Sequence, residues 1–213
     1  NEEAINDYDE AIKLDSQSAE VFYFRGLAKT NLGRNEEAIN DYDESIKLDS
    51  QSAEVFYFRG LAKYNLGRNE EAINDYDESI KLDPKIPIVF SNRASAKSDL
   101  GRNEEAIDDC DEAIKLDPKL ALAFNTRAFA KDELKRFEEA INDYDEAIKL
   151  DPKLAVAFSN RGLSKYNIGR YEEAINDYDE AIKLDPELAN AYGNRGLAKT
   201  NSGRYEEAIN DYD

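Results

Sequence analysis

The sequence predicts an all-α fold of stacked antiparallel helix pairs, on three observations. The opening segment NEEAINDYDE returns as close copies beginning at Asn35, Asn69, Asn103, Phe137, Tyr171 and Tyr205, 34 residues apart and without insertion or deletion. Each interval holds two stretches with apolar residues at helical spacing, most of them separated by a glycine turn, and closes on LDP or LDS. A single helix pair of this length cannot bury its own apolar stripes, whereas stacked neighbours can.

The first element is a lone second helix in a leading half-unit, residues 1–18. Complete units follow at 19–52, 53–86, 87–120, 121–154 and 155–188, and a truncated unit occupies 189–213. The unit 53–86 shows the local logic. Its first helix is expected over Glu54 to Leu66, with Gly67 as a left-handed stop. Asn69 is expected to cap the second helix, whose first turn carries Glu70 and Glu71 where the helix dipole favours negative charge. Ala72, Tyr76, Ser79 and Ile80 form its buried stripe. Lys81 suits the last turn, and Pro84 cannot continue the helix. One turn departs from this pattern: Lys135 stands where the other units have glycine. Either Lys135 adopts a left-handed backbone, at a cost of about 1 kcal/mol, or that turn is reshaped.

Composition narrows the function. The 213 residues carry 47 acidic and 28 basic side chains, a formal net charge of −19. That balance repels a phosphate backbone and argues against nucleic acid as a partner. No apolar run is long enough to insert into a membrane; the compartment is left open by the sequence, with a soluble, cytoplasmic setting slightly favoured. There is no histidine, which removes the commonest general base and metal ligand, and Cys110 is alone. No nucleophile–base pair, phosphate loop or metal spacing is present, so no catalytic residue, metal or cofactor is expected.

The carboxylate-rich NDYDE segment reads as structural. Asp7 and Asp9 project about 200° apart on a helix and cannot converge on one small cation. Asp9 precedes Lys13 by four residues, the favourable order for a helical ion pair, and the pairing recurs as Asp43–Lys47, Asp77–Lys81, Asp111–Lys115, Asp145–Lys149 and Asp179–Lys183. Tyr8, Tyr42, Tyr76, Tyr144 and Tyr178 are expected to pack inside, with Cys110 in the same column as a buried thiol.

The unit resembles the tetratricopeptide repeat. In the unit from Ala19, Phe22 matches the family's bulky aromatic and Gly26 its small residue. Ala38, Tyr42 and Ser45 match the second-helix signature, and Pro84, Pro118, Pro152 and Pro186 the closing proline. Two columns depart from the pattern. Arg25, Arg59, Arg93, Arg127, Arg161 and Arg195 replace an apolar residue, and Lys29, Lys63, Lys97, Lys131, Lys165 and Lys199 replace the family's tyrosine. The arginines are expected to form an internal ladder with the Asp-rich second helices, in preference to a ligand site.

What the resemblance implies is a right-handed superhelical solenoid whose first helices line a concave groove where partners lie as peptides. The implied peptide-binding residues are Tyr23, Phe24, Leu27, Tyr57, Phe58, Leu61 and Tyr64 in the first two units, together with Glu20 and Glu54. Asn92, Thr126, Phe129, Asn160, Tyr166 and Asn194 follow further along. No Lys or Arg stands at these positions, whereas relatives that clamp a C-terminal carboxylate use basic side chains there. A neutral or basic peptide with apolar anchors fits better, and the Asn column offers amides to its backbone. Phe24, Phe58, Leu27 and Leu61 either form an exposed patch or pack between neighbouring first helices; the sequence leaves both open.

The expected function is a non-catalytic scaffold that holds a protein or peptide. Two alternatives stand beside it: end-to-end self-association, and the regulatory or targeting array of a longer enzyme.

Overall fold

Apolar stripes of limited length, punctuated every dozen residues or so, leave the chain one economical solution, short helices packed in sequence order. The computed structural model describes residues 2–211; residues 1, 212 and 213, parts of the leading half-unit and the truncated last unit, lie outside the described residues. Among the described residues there are thirteen helices and no strand. The chain forms two compact units, residues 1–102 and 103–213.

Unit 1 holds α1 (Glu2–Leu14), α2 (Ala19–Thr30), α3 (Asn35–Leu48), α4 (Ala53–Asn65), α5 (Asn69–Leu82) and α6 (Pro87–Asp99). Each helix packs on the next, and first helices also touch across one intervening helix, α2 on α4 and α4 on α6. Unit 2 repeats the plan with α7 (Asn103–Leu116), α8 (Ala121–Glu133), α9 (Phe137–Leu150), α10 (Ala155–Asn167), α11 (Tyr171–Leu184), α12 (Ala189–Asn201) and α13 (Tyr205–Ile209). No helix among the described residues is long and apolar enough to cross a membrane.

The tyrosine column is the core of the complete pairs, whereas Tyr8, expected inside, is only half-buried on the leading helix. Tyr42, Tyr76, Tyr144 and Tyr178 are fully buried, as is Cys110, whose thiol is pushed well up by burial. Tyr42 packs with Ala38, Ile39, Val55 and Ala62, and the equivalent clusters surround the other rings. The rings explain the small residue of the first helix: a Cβ on Gly60 would stand 2.8 Å from Cε1 of Tyr76. Ser45 and Ser79, in a column otherwise alanine, donate their hydroxyls to the carbonyls of Ala19 and Ala53 at 2.9 and 2.8 Å.

The turns obey a single rule. Gly67 has φ +73, and Arg68 N–H closes the turn on Lys63 O at 3.0 Å. Lys135 takes the same left-handed backbone, φ +60, which settles the alternative in favour of strain over reshaping.

Two local expectations are corrected. Asn69 is not the cap: it is the first helical residue, and Arg68 occupies the cap position with its carbonyl on Ala72 N–H. Arg68 instead grips Glu71 with two bonds of 2.8 and 2.6 Å, so a side-chain ion pair spans the first turn where an amide cap was expected. The Asp–Lys pairs are also different. Lys47 bonds Glu44 and Lys81 bonds Glu78, three residues earlier, as do their counterparts in unit 2. The aspartates, about half exposed, instead accept from arginines of the neighbouring first helix at 2.6 and 2.5 Å.

Candidate functional site

The first-helix charges separate into a sealed network and an open one. In the sealed network, Arg59 on α4 donates Nε and Nη2 to Asp75 on α5 at 2.9 and 2.6 Å, and Nη1 to Asp43 on α3 at 2.6 Å. Each arginine thus ties its own helix pair to the preceding one. Arg25 does the same with Asp41 and Asp9, Arg127 with Asp143 and Asp111, and Arg161 with Asp177 and Asp145. The guanidinium carbon also lies 5.4 Å from the Phe56 ring, and 5.4–5.5 Å from the equivalent ring in every unit. The lysine column completes it: Lys63 reaches Asp75 at 2.7 Å and Lys165 reaches Asp177 at 2.8 Å. Both sequence columns that depart from the family pattern therefore converge on one carboxylate each at Asp41, Asp75, Asp143, Asp177 and Asp211. At Asp211, burial disfavours the charge, but the bonds from Arg195 and Lys199 outweigh it and hold the carboxyl below its ordinary value.

The open network lies on the first-helix face of unit 1. The structure brings Tyr23, Phe24, Tyr57 and Phe58 together: Tyr23 is 5.2 Å from Phe24 and 5.9 Å from Phe58, and Tyr57 is 4.8 Å from Phe58. Phe24 is exposed, 39% of its surface, while Phe58 is half-buried and leans on the Tyr42 cluster. The two rings thus divide between the two alternatives, exposed patch and packing. Leu27 and Leu61 are half-buried, Leu27 on that same cluster. Tyr64 is half-buried beside Asp99, and burial with that carboxylate raises its hydroxyl to about 12. Asn92 donates Nδ2 to Tyr57 Oη at 3.1 Å, so part of its amide serves the face itself.

Two adjoining cavities open among these rings. One of about 260 Å³ is lined by Glu20, Tyr23, Phe24, Asp49 and Glu54. Another of about 440 Å³ is lined by Tyr23, Glu54, Tyr57, Phe58, Asp83 and Ile86. Tyr23 and Glu54 belong to both, with Tyr23 Oη donating to Glu54 at 3.5 Å; burial and then Glu54 push the tyrosine to about 12. Asp49 and Asp83, at the ends of second helices, were missed in the sequence. Their signal was the LDS and LDP closure, which reads as a helix stop and says nothing of what the carboxylate overlooks.

In unit 2 the corresponding residues are more dispersed. Thr126 is buried and interrupts the asparagine column in space as well as in sequence. Phe129 is exposed, and Asn160 and Asn194 are half-buried. The Tyr166 ring lies tilted at 57°, 5.5 Å from Tyr171, and its hydroxyl accepts a bond from Asn201 at 2.9 Å. Asp132, at the end of α8, accepts from Ser164 Oγ at 2.8 and 2.7 Å and from Tyr144 Oη at 3.1 Å. Burial raises its carboxyl to about 6, against the effect of those two bonds. Among the described residues no three Cys, Asp or Glu side chains are grouped as a metal site requires.

Comparison with known proteins agrees with this architecture. A family profile described as TPR repeat matches residues 1–33, 26–67, 60–101, 133–169 and 164–201, and one described as tetratricopeptide repeat matches 89–120. Among curated protein sequences none matched the chain. Among solved structures, YrrB, titled a TPR protein with an unusual peptide-binding site, is 20% identical with a TM-score of 0.65 over 86% of this chain and 95% of its own. MamA is 27% identical, with a TM-score of 0.63 over 72% of this chain and 90% of its own. A tetratricopeptide repeat protein from Parabacteroides merdae is 18% identical, with a TM-score of 0.81 over 98% and 82%. With the helix pairs, the tyrosine core and the profile matches in agreement, the chain belongs to the tetratricopeptide repeat family.

Proposed function

We propose that the chain is a non-catalytic scaffold that holds an extended segment of a protein partner on its first-helix face, chiefly in unit 1. The observation that carries this is the pair of adjoining cavities walled by Tyr23, Phe24, Tyr57 and Phe58 and rimmed by carboxylates. Aromatic walls supply contact area at low entropic cost, and the acidic rim favours a neutral or basic segment over an acidic one. The peptide-binding site named for YrrB belongs to that protein, and here it supports only the suitability of the fold for such a use.

The test is a peptide-library binding screen with the full chain and a Phe24→Ala variant. Phe24 lies at the surface beside Tyr8 and Tyr23, so the helical circular dichroism should be retained while affinity for selected peptides falls about tenfold. Selected peptides that bind the variant equally well would remove the face from consideration.

A further inference from the structure

The cavities of unit 1 are lined by the same groups that hold arginine elsewhere in the chain. Every internal arginine lies over an aromatic ring at 5.4–5.5 Å, and in units where both partners are described it bridges two carboxylates. Lys29, Lys63, Lys131, Lys165 and Lys199 meet the carboxylate of that network at 2.6–2.8 Å through their ammonium groups. The two cavities offer rings and carboxylates with no cation. Glu20, Asp49, Glu54 and Asp83 line them, and no lysine or arginine among the described residues does. None of these four makes an ion pair with a described residue: Asp49 and Asp83 accept only the backbone N–H of Gln51 and Lys85, and Glu54 only the Tyr23 hydroxyl. Asp117, Asp151 and Asp185, which close later units, also accept from the backbone two residues on; what sets Asp49 and Asp83 apart is that they share their cavities with Glu20, Glu54 and the aromatic rings.

We infer that the two cavities are arginine sockets: the partner is a basic segment that seats arginine side chains against Tyr23 and Phe58, with their guanidinium groups on the carboxylates that Glu54 joins. This rests on the first-helix face being the binding face and names what it selects. A guanidinium suits both surfaces at once, since it stacks on a ring by its plane and bonds carboxylates by its edge. A compact ammonium satisfies the carboxylates alone. The net charge of −19 draws any basic chain toward the protein, so overall attraction has to be separated from seating.

The experiment uses the full chain and labelled twelve-residue Gly/Ser peptides, otherwise identical, that carry two arginines, two lysines or two citrullines. Fluorescence anisotropy is read at 150 mM salt. Citrulline keeps the shape of arginine and removes its charge. The arginine peptide is expected to bind at least tenfold more tightly than the citrulline peptide and several-fold more tightly than the lysine peptide. In Glu20→Gln/Glu54→Gln, at exposed sites that leave circular dichroism unchanged, the arginine preference should fall to about twofold. Equal binding of arginine and citrulline peptides, lysine binding as tight as arginine, no binding by any of the three, or an arginine preference that survives the double variant would each overturn the assignment. The Phe24→Ala library screen tests the face itself separately, since it selects peptides of any composition.

Discussion

Lys63 places its ammonium 2.7 Å from Oδ2 of Asp75, the carboxylate that Arg59 already holds. That contact accounts for a lysine at a position where the family favours an aromatic. Asp75 is almost wholly buried, and two cations offset the cost of removing its charge from water. The motif repeats in step with the 34-residue unit, and Arg93 bonds Asp77 at 2.6 Å. The stability of a repeat array is the sum of what each repeat contributes by itself and its nearest-neighbour interfaces. An arginine that bonds both the preceding and the following second helix therefore acts directly on the term that holds the array together.

Removing one arginine should be costly, and removing its exposed partner should not. In Arg161→Met, Asp177 keeps only Lys165, and its side chain is 7% exposed. The expected loss is about 3 kcal/mol, read as a lower urea midpoint. Asp145, the other partner, is 53% exposed, and Asp145→Asn should cost less than about 1 kcal/mol. Equal effects of the two variants would mean that the ladder is not anchored on its buried side.

Lys135 carries the strain that glycine avoids elsewhere. Its φ of +60 matches turns where Gly67 and Gly101 stand at +73 and +76. Lys135→Gly relieves the left-handed penalty and loses some of it to the freer unfolded chain, for a net gain of roughly 0.5–1 kcal/mol. Differential scanning calorimetry reads this as a raised Tm, and an unchanged or lower Tm counts against strain at that turn.

Asp132 should leave a pH signature. Its folded pKa of about 6 lies above the ordinary carboxylate value, so the folded state binds the extra proton between about pH 4 and 6. Its contribution to stability therefore improves as pH falls through that window, opposite in sign to a paired carboxylate. Asp132→Asn should be more stable than the parent at pH 7.5 by on the order of 1 kcal/mol, and the advantage should vanish near pH 4. An advantage that stays constant with pH would show that burial does not disfavour the Asp132 charge.

Much of this architecture is legible in the sequence because its causes are local. The Gly67 stop, the Tyr76 stripe and the Pro84 terminator each act within one helix or turn, and the repeat multiplies the signal. What escapes is contact between helices. Asp43 lies four residues before Lys47 and reads as its partner, yet its carboxylate is on Arg59, sixteen residues away in the next helix. The convergence of Arg59 and Lys63 on Asp75 is equally invisible to a helical wheel of either helix alone. In the candidate site, Tyr23, Phe24, Tyr57 and Phe58 were readable from their column. The burial of Thr126 and the Asp49 and Asp83 rims depend on how neighbouring helices close over them.

The central claim is a division of labour: buried carboxylates within the second helices, such as Asp75, hold the fold, and the carboxylates lining the unit 1 cavities hold the partner. The most direct measurement is Tm and peptide affinity side by side for Asp75→Asn and Glu54→Gln. Asp75→Asn should lower Tm by roughly 6–12 °C, as about 3 kcal/mol does in a chain of this size, with the affinity of the folded protein retained. Glu54→Gln should leave Tm within about 1 °C and weaken peptide binding several-fold. A stable Asp75→Asn protein, or a Glu54→Gln protein that binds normally, would contradict the account.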